Sequence, residues 1–205
     1  QAFYFCQSLP SITIPDSVTY IGPEAFDYCQ SLPSITIPDS VTYIGHSFIG
    51  EAKSLTSITI GNSVTSIRYS FVNNCKSLES ITFPDSVTSI GGDAIYNCRS
   101  LKSYIFEGNA PTLGWRAFTW PHRDAKVYVK ANATGFGSTF GGLPVVREGS
   151  ITTASKGNTS DGPIMDAVVF FDVNLNGLPD EGEPQTTSNS WGDYWLDIPL
   201  ETYDL

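Results

Sequence analysis

The run DVNLNGLPDEGE, residues 172–183, holds the best-spaced oxygen ligands of the chain. It fits the calcium-loop spacing D-x-[DN]-x-[DN]-G-x5-E. Calcium takes six to eight hard oxygens around one centre. Here Asp172, Asn174 and Asn176 would supply side-chain oxygens, Leu178 its carbonyl, Asp180 a contact through water and Glu183 a bidentate carboxylate, with Gly177 at the sharp turn. Only three of these side chains carry charge, so calcium is expected as a cofactor of weak affinity, about 10⁻⁴ to 10⁻³ M. The flanks do not suit a helical hand: residues 167–171 (AVVFF) read as a strand, and Pro179 and Pro184 oppose a following helix. The alternative is an acidic turn joining two strands.

Other reactive groups lack such spacing. His46 and His122 have no motif around them, and no G-x-S-x-G, phosphate loop or H-E-x-x-H occurs. The carboxylates form no recognisable pair, so the chain reads as non-enzymatic with no catalytic residue. Among 205 residues, 21 acidic against 11 basic side chains give a formal net charge of -10. That balance argues against nucleic acid, which is held by clustered Lys and Arg. With 40% hydrophobic and 16% charged residues the chain can bury a core. No apolar run is long enough to cross a bilayer, so no direct membrane insertion is expected. The opening QAFYFCQSLP lacks the basic and apolar regions of a signal peptide, which fits a mature or excised chain.

What must position these groups is a repeat. Aligned on itself, the chain has a dominant offset of 23: SLPSITIPDSVTYIG from Ser8 and again from Ser31, SLTSITIGNSVTSIR from Ser54, SLESITFPDSVTSIG from Ser77, and a shortened SLKSYIFEG from Ser100. Leu9, Leu32, Leu55, Leu78 and Leu101 form one apolar column, and Ile12, Ile35, Ile58, Ile81 and Tyr104 another. Alternation of Ile12 with Ile14, and of their counterparts, predicts one short strand per coil, ended by Pro15, Pro38 or Pro84 with Asp next. A single coil cannot bury its columns, but stacked coils can, so residues 1–108 are expected to form a solenoid of five copies.

The pattern L-x-x-I-x-I-P-x-S-V-T-x-I-G-x-x-A-F-x-x-C resembles the treponemal, or BspA-like, leucine-rich repeats. That resemblance implies a curved leucine-rich repeat solenoid, with a parallel sheet on one face and short helical or irregular turns on the other. It also implies a secreted or cell-surface protein that takes part in adhesion. Arg68 replaces the glycine after Ile67, and Gly61-Asn62 replaces Pro-Asp; each disturbs a single turn.

Cys6, Cys29, Cys75 and Cys98 share one column with Ala52, which reads as a position for a small apolar filler, hence buried free thiols. Disulfides Cys6–Cys29 and Cys75–Cys98 are the alternative, since coils about 4.8 Å apart lie within disulfide range. Zinc is disfavoured because ligands spaced one per coil do not converge. The outward strand positions Ser11, Thr13, Ser34, Thr36, Ser57, Thr59, Ser80 and Thr82 form a hydroxyl lattice. It is a possible ligand face, for a polysaccharide or an ice surface, or else an ordinary polar, β-compatible solvent face. It lacks the Trp, Tyr and Arg anchors of tight interfaces. Tyr4, Phe5, Tyr20, Tyr28 and Tyr43 gather in the first two copies, as an exposed patch or beneath an upstream coil.

From Asn109 the period is read as lost. Residues 109–148, with G-N-A-P and TGFGSTFGGLP, resemble the caps that end BspA-like arrays; Trp115 and Trp120 are expected in its lid. Residues 149–164 read as a linker and 165–205 as a small acidic β module, truncated. VVFFDVNLNGLPDEGEP, continued by T-T and G-D-Y, resembles SdrD B-like calcium-binding modules of bacterial surface proteins. Residues 151–205 hold ten acidic groups and one base, Lys156, and so carry -9 of the net charge. Two functions follow from the sequence: a noncatalytic module recognising a protein or glycan on a surface, or a structural spacer stiffened by calcium.

Overall fold

The computed structural model describes residues 1–148 and the strands Val168–Phe170 and Gln185–Thr187. The chain divides into two compact units, Gln1–Ile151 and Thr152–Leu205. The first is a parallel β-solenoid, and its described residues contain no helix.

Where the alternation predicts one strand per coil, the structure forms three. The first ladder carries Ser34–Thr36 and Ser57–Thr59, then Ser80–Phe83, Ser103–Phe106 and Lys126–Val129. A second runs through Tyr20–Ile21 and Tyr43–Ile44, then Ser66–Ile67, Ser89–Ile90 and Thr112–Leu113. The third joins Ile49–Gly50, Val72–Asn73, Ile95–Tyr96 and Phe118–Thr119. The extra ladders arise because every backbone N–H on a coil rim needs an acceptor, and the next coil supplies one.

The bends flanking the third ladder are columns in their own right. Glu24, Ser47, Ser70, Asp93 and Arg116 have φ of 46–53°, and Phe5, Tyr28, Glu51, Asn74, Asn97 and Trp120 have φ of 51–63°. Left-handed backbone costs a residue with a Cβ roughly 1–2 kcal/mol. What offsets the cost is pairing: Glu24, Phe26 and Tyr28 N–H donate to His46, Phe48 and Gly50 C=O at 3.0, 3.0 and 2.8 Å, and later coils repeat the pattern.

Inward columns fill the core. Leu32, Leu55, Leu78 and Leu101 are fully buried, as are Phe48 and Phe71, whose rings stack at 5.1 Å, and Phe83, which stacks on Phe106 at 4.7 Å. Each such side chain contributes roughly 1.5–3 kcal/mol of burial.

The period does not end at Asn109. Thr112 pairs with Ser89, Phe118 with Ile95 and Lys126 with Ser103, all still 23 apart, so a further coil precedes the cap. It escaped the sequence pattern because the leucine column ends, with Asp124 standing 23 residues after Leu101, and Val127 and Val129 replace Tyr104 and Phe106. The lid also differs from expectation. Trp115 and Trp120 stand out at 74% and 51% exposure, whereas Phe136, Phe140 and Leu143 cover Phe106 and Phe118. Leu143–Arg147 closes the first ladder, pairing antiparallel with Thr139–Phe140 and parallel with Lys126–Val129. Gly141, at φ 59°, makes the turn because a Cβ there would meet the Phe118 ring at 2.5 Å.

In the second unit, Val168–Phe170 pairs antiparallel with Gln185–Thr187, Phe170 opposite Gln185.

Candidate binding face

The first ladder sorts its side chains as the period of two requires: Ile35, Ile37, Ile58, Ile60, Ile81 and Phe83 are buried, while Ser34, Thr36, Ser57, Thr59 and Ser80 face solvent. Thr82 is half-buried, and Ser11 and Thr13 are exposed ahead of the first strand of the ladder. Register aligns Ser34 with Ser57, Thr36 with Thr59, and Ser80 with Ser103 and then Lys126. The expected hydroxyls therefore fall into two paired stretches, 34–36 with 57–59 and, from Ser80, a second that ends in groups not among the expected face, the exposed Lys126 and Tyr128. Their positions, 23 residues beyond Ser103 and Ile105, were the available signal.

Aromatic residues mark the second ladder and the neighbouring bends. Tyr20 stacks on Tyr43 at 4.7 Å and 10°, and the Arg68 guanidinium lies 4.4 Å from the Tyr43 ring centre. Tyr28 contacts Tyr4 and Phe5 at 6.0 and 5.5 Å. Arg116 lies 5.0 Å over Trp115.

The four cysteines are free thiols, with Cys29, Cys75 and Cys98 buried. Cys29 Sγ donates to Phe3 C=O at 3.2 Å and Cys75 Sγ to Asn73 C=O at 3.5 Å. Burial pushes the Cys29 thiol up to about 11, and a hydrogen bond with Cys98, together with burial, holds Cys75 far above the ordinary thiol range. Such thiols are poor nucleophiles at neutral pH, which fits the filler role. Asp27 is the described carboxylate with a raised pKa: burial raises it first, and the charge of Glu24 adds to this.

The calcium-loop residues Asp172, Asn174, Asn176, Leu178, Asp180 and Glu183 lie outside the described residues, as does the linker at 149–164. The strands on either side of the loop are described, and they agree with strand rather than helical flanks.

Parallel ladders around leucine and isoleucine columns define a leucine-rich repeat solenoid. Residues 1–122 match the family model of the BspA type Leucine rich repeat region, in 6 copies, and the chain belongs to that family. The matched range runs past Asn109 into the further coil. No curated protein matches the chain. Among solved structures it is similar to a leucine rich cell surface protein of Faecalibacterium prausnitzii A2-165, at 34% identity over 47% of this chain and 25% of that one, TM-score 0.46. It is also similar to the Treponema pallidum leucine rich repeat protein, at 20% identity over 66% of this chain and 78% of that one, TM-score 0.38. A leucine-rich repeat protein of Bacteroides ovatus ATCC 8483 is 22% identical over 71% of this chain and 56% of that one, TM-score 0.25. The chain thus spans a quarter of the Faecalibacterium protein's length.

Proposed function

We propose that the chain is a noncatalytic binding module of a secreted or cell-surface bacterial protein, recognising a protein or glycan in adhesion. The observation that carries this reading is the outward side of the first strand column: its inward residues are committed to the core, while Ser34 and Thr36 stand in register with Ser57 and Thr59, and Ser80 with Ser103, toward solvent. Membership of a family of typically non-enzymatic repeat scaffolds supports it, as does the family's habit of surface attachment. The test is binding of the labelled full chain to a panel of immobilised surface glycoproteins and polysaccharides, beside a Thr36→Lys, Thr59→Lys variant. Both side chains point to solvent, so the fold tolerates the change. Saturable binding that falls at least tenfold in the variant is expected. A chain that binds nothing on the panel favours the second reading, a spacer stiffened by calcium, whose support is the ligand spacing of residues 172–183 between two paired strands.

A further inference from the structure

The column Gly22, Gly45, Arg68, Gly91, Gly114 is glycine in every coil but one. Sterics explain the glycines. A Cβ at Gly45 would lie 2.4 Å from Pro23 N, one at Gly91 2.9 Å from Tyr69 N, and one at Gly114 2.4 Å from Gly92 N. From the second coil onward, these glycines lie at contact distance from the backbone of the coil before, whereas Gly22 in the first coil has only the Tyr20 ring near it, at 3.6 Å. Arg68 occupies that position with a long side chain, and the second ladder is interrupted there. Tyr20–Ile21 pairs with Tyr43–Ile44, and Ser66–Ile67 with Ser89–Ile90, but Tyr43–Ile44 and Ser66–Ile67 are not paired among the described strands. Gly45, Gly91 and Gly114 N–H donate to Ile21, Ile67 and Ile90 C=O at 2.7–2.8 Å; no matching bond from Arg68 is present among the described residues. The opening is local, because Ile49 still pairs with Val72 on the third ladder of the same two coils.

Beside the unpaired strands lies a groove lined by Tyr43, His46, Ser66, Arg68, Tyr69 and Ser89, which contains no carboxylate. Its guanidinium is placed in advance: Arg68 lies against Tyr43, which is itself backed by Tyr20. Arg68 forms no ion pair among the described residues. Tyr69 is 59% exposed, and Ser89 Oγ donates to Ser66 Oγ at 3.0 Å along the floor. A cation fixed against an aromatic stack, an open ring and a row of hydroxyls meet three features of one ligand class. We infer that this groove binds an acidic polysaccharide, with a sugar carboxylate paired to Arg68, a pyranose C–H face against Tyr69, and sugar hydroxyls at Ser66, Ser89 and His46. Guanidinium and carboxylate match as a planar two-bond pair. The groove crosses two ladder steps, about 10 Å, which is room for a disaccharide unit. Without a deep apolar pocket it offers a peptide no side-chain anchor, so a saccharide is the better fit.

The inference shares with the proposed function the premise of a binding module but places the ligand on a different face. Titration of the full chain with oligogalacturonate, a neutral cello-oligosaccharide and poly-glutamate separates the cases. Binding of oligogalacturonate alone is expected, weakening with added salt. Arg68→Gly restores the glycine column and should melt no lower than the parent, while losing oligogalacturonate affinity about tenfold or more. Arg68→Lys keeps the charge but not the planar fork, and should fall between. The inference is overturned by equal binding of the neutral oligomer, by poly-glutamate binding as well as the uronate, by no uronate binding, or by unchanged affinity in Arg68→Gly. Loss in Thr36→Lys, Thr59→Lys with Arg68→Gly unaffected would overturn it too, while upholding the Ser/Thr face of the proposed function.

Discussion

Asp27 sits where its charge is poorly served. Its Oδ1 is buried with no hydrogen-bond partner, while Glu24 and Glu51 add like charge. The column continues through Gly50, Asn73, Tyr96 and Thr119, and glycine is what makes room for the polar pair. A Cβ at Gly50 would lie 2.3 Å from both Asp27 Oδ1 and Asn73 Oδ1. With its pKa raised, chiefly by burial, folded Asp27 holds its proton to higher pH than the unfolded chain does. Its contribution to stability therefore falls as pH rises from the ordinary carboxylate value, about 3.9, through the raised folded value. Asp27→Asn should raise the midpoint of urea unfolding at pH 7, a gain in unfolding free energy of about 1 kcal/mol or less because the group is only partly screened from solvent, and should change nothing at pH 3. A lower midpoint at pH 7 would mean that the charged carboxylate has an unrecognised stabilising partner. None of this was legible beforehand, since Asp, Gly, Asn, Tyr and Thr in one column announce no common role. The cysteine column was legible, because Ala52 in the same place already specified size rather than reactivity.

At the scale of elements, each coil leans on its neighbours, so an end needs a cover of different construction. That cover is built on Phe136, 4.8 Å from Phe140 and 5.5 Å from Phe106, and is tied down by the Arg147 guanidinium, which donates to Ala133 and Phe136 C=O at 2.7 and 3.0 Å. Phe136→Ala should cost about 3 kcal/mol, the low end for a buried phenylalanine, because the lid can partly settle. Hydrogen exchange would locate the damage: amides of Lys126–Val129 should lose protection well before those of Ser57–Thr59. Uniform loss along the solenoid would show that the lid supports every coil equally and is not a local cover. The cap was legible from its glycines and its TGFGSTFGGLP run, but the lid residues were not. Two tryptophans looked like the larger apolar cover, yet their backbone positions fall on bends that turn outward, Trp120 on a left-handed one. The left-handed columns themselves stayed hidden because they carry no glycine; residues such as Glu, Ser, Arg and Tyr occupy them where the pairing of coil to coil outweighs the local cost.

For the whole molecule, charge separates the two units more sharply than fold does. Residues 151–205 carry ten acidic groups against Lys156 alone, a charge balance that opposes bringing them together. A divalent cation held by Asp172, Asp180 and Glu183 would relieve that repulsion where it is densest. With weak sites of about 10⁻⁴ to 10⁻³ M, 10 mM calcium should add roughly 1.4–2.7 kcal/mol to the unit that binds it. A melt of the full chain should then show one transition raised by calcium, and the solenoid's transition unmoved, relative to sodium chloride of equal ionic strength. In an Asp172→Ala, Glu183→Ala variant the calcium-sensitive step should disappear while the solenoid melts as before. Equal effects of sodium and calcium would reduce the loop to an acidic turn responding to screening, and would take away the support for a calcium-stiffened spacer. A calcium-specific shift would make the second unit a conditional element, firm where calcium is millimolar and loose where it is scarce. The solenoid's outward hydroxyls carry no charge and its Arg68 groove is lined by no carboxylate, so both should be indifferent to the same change.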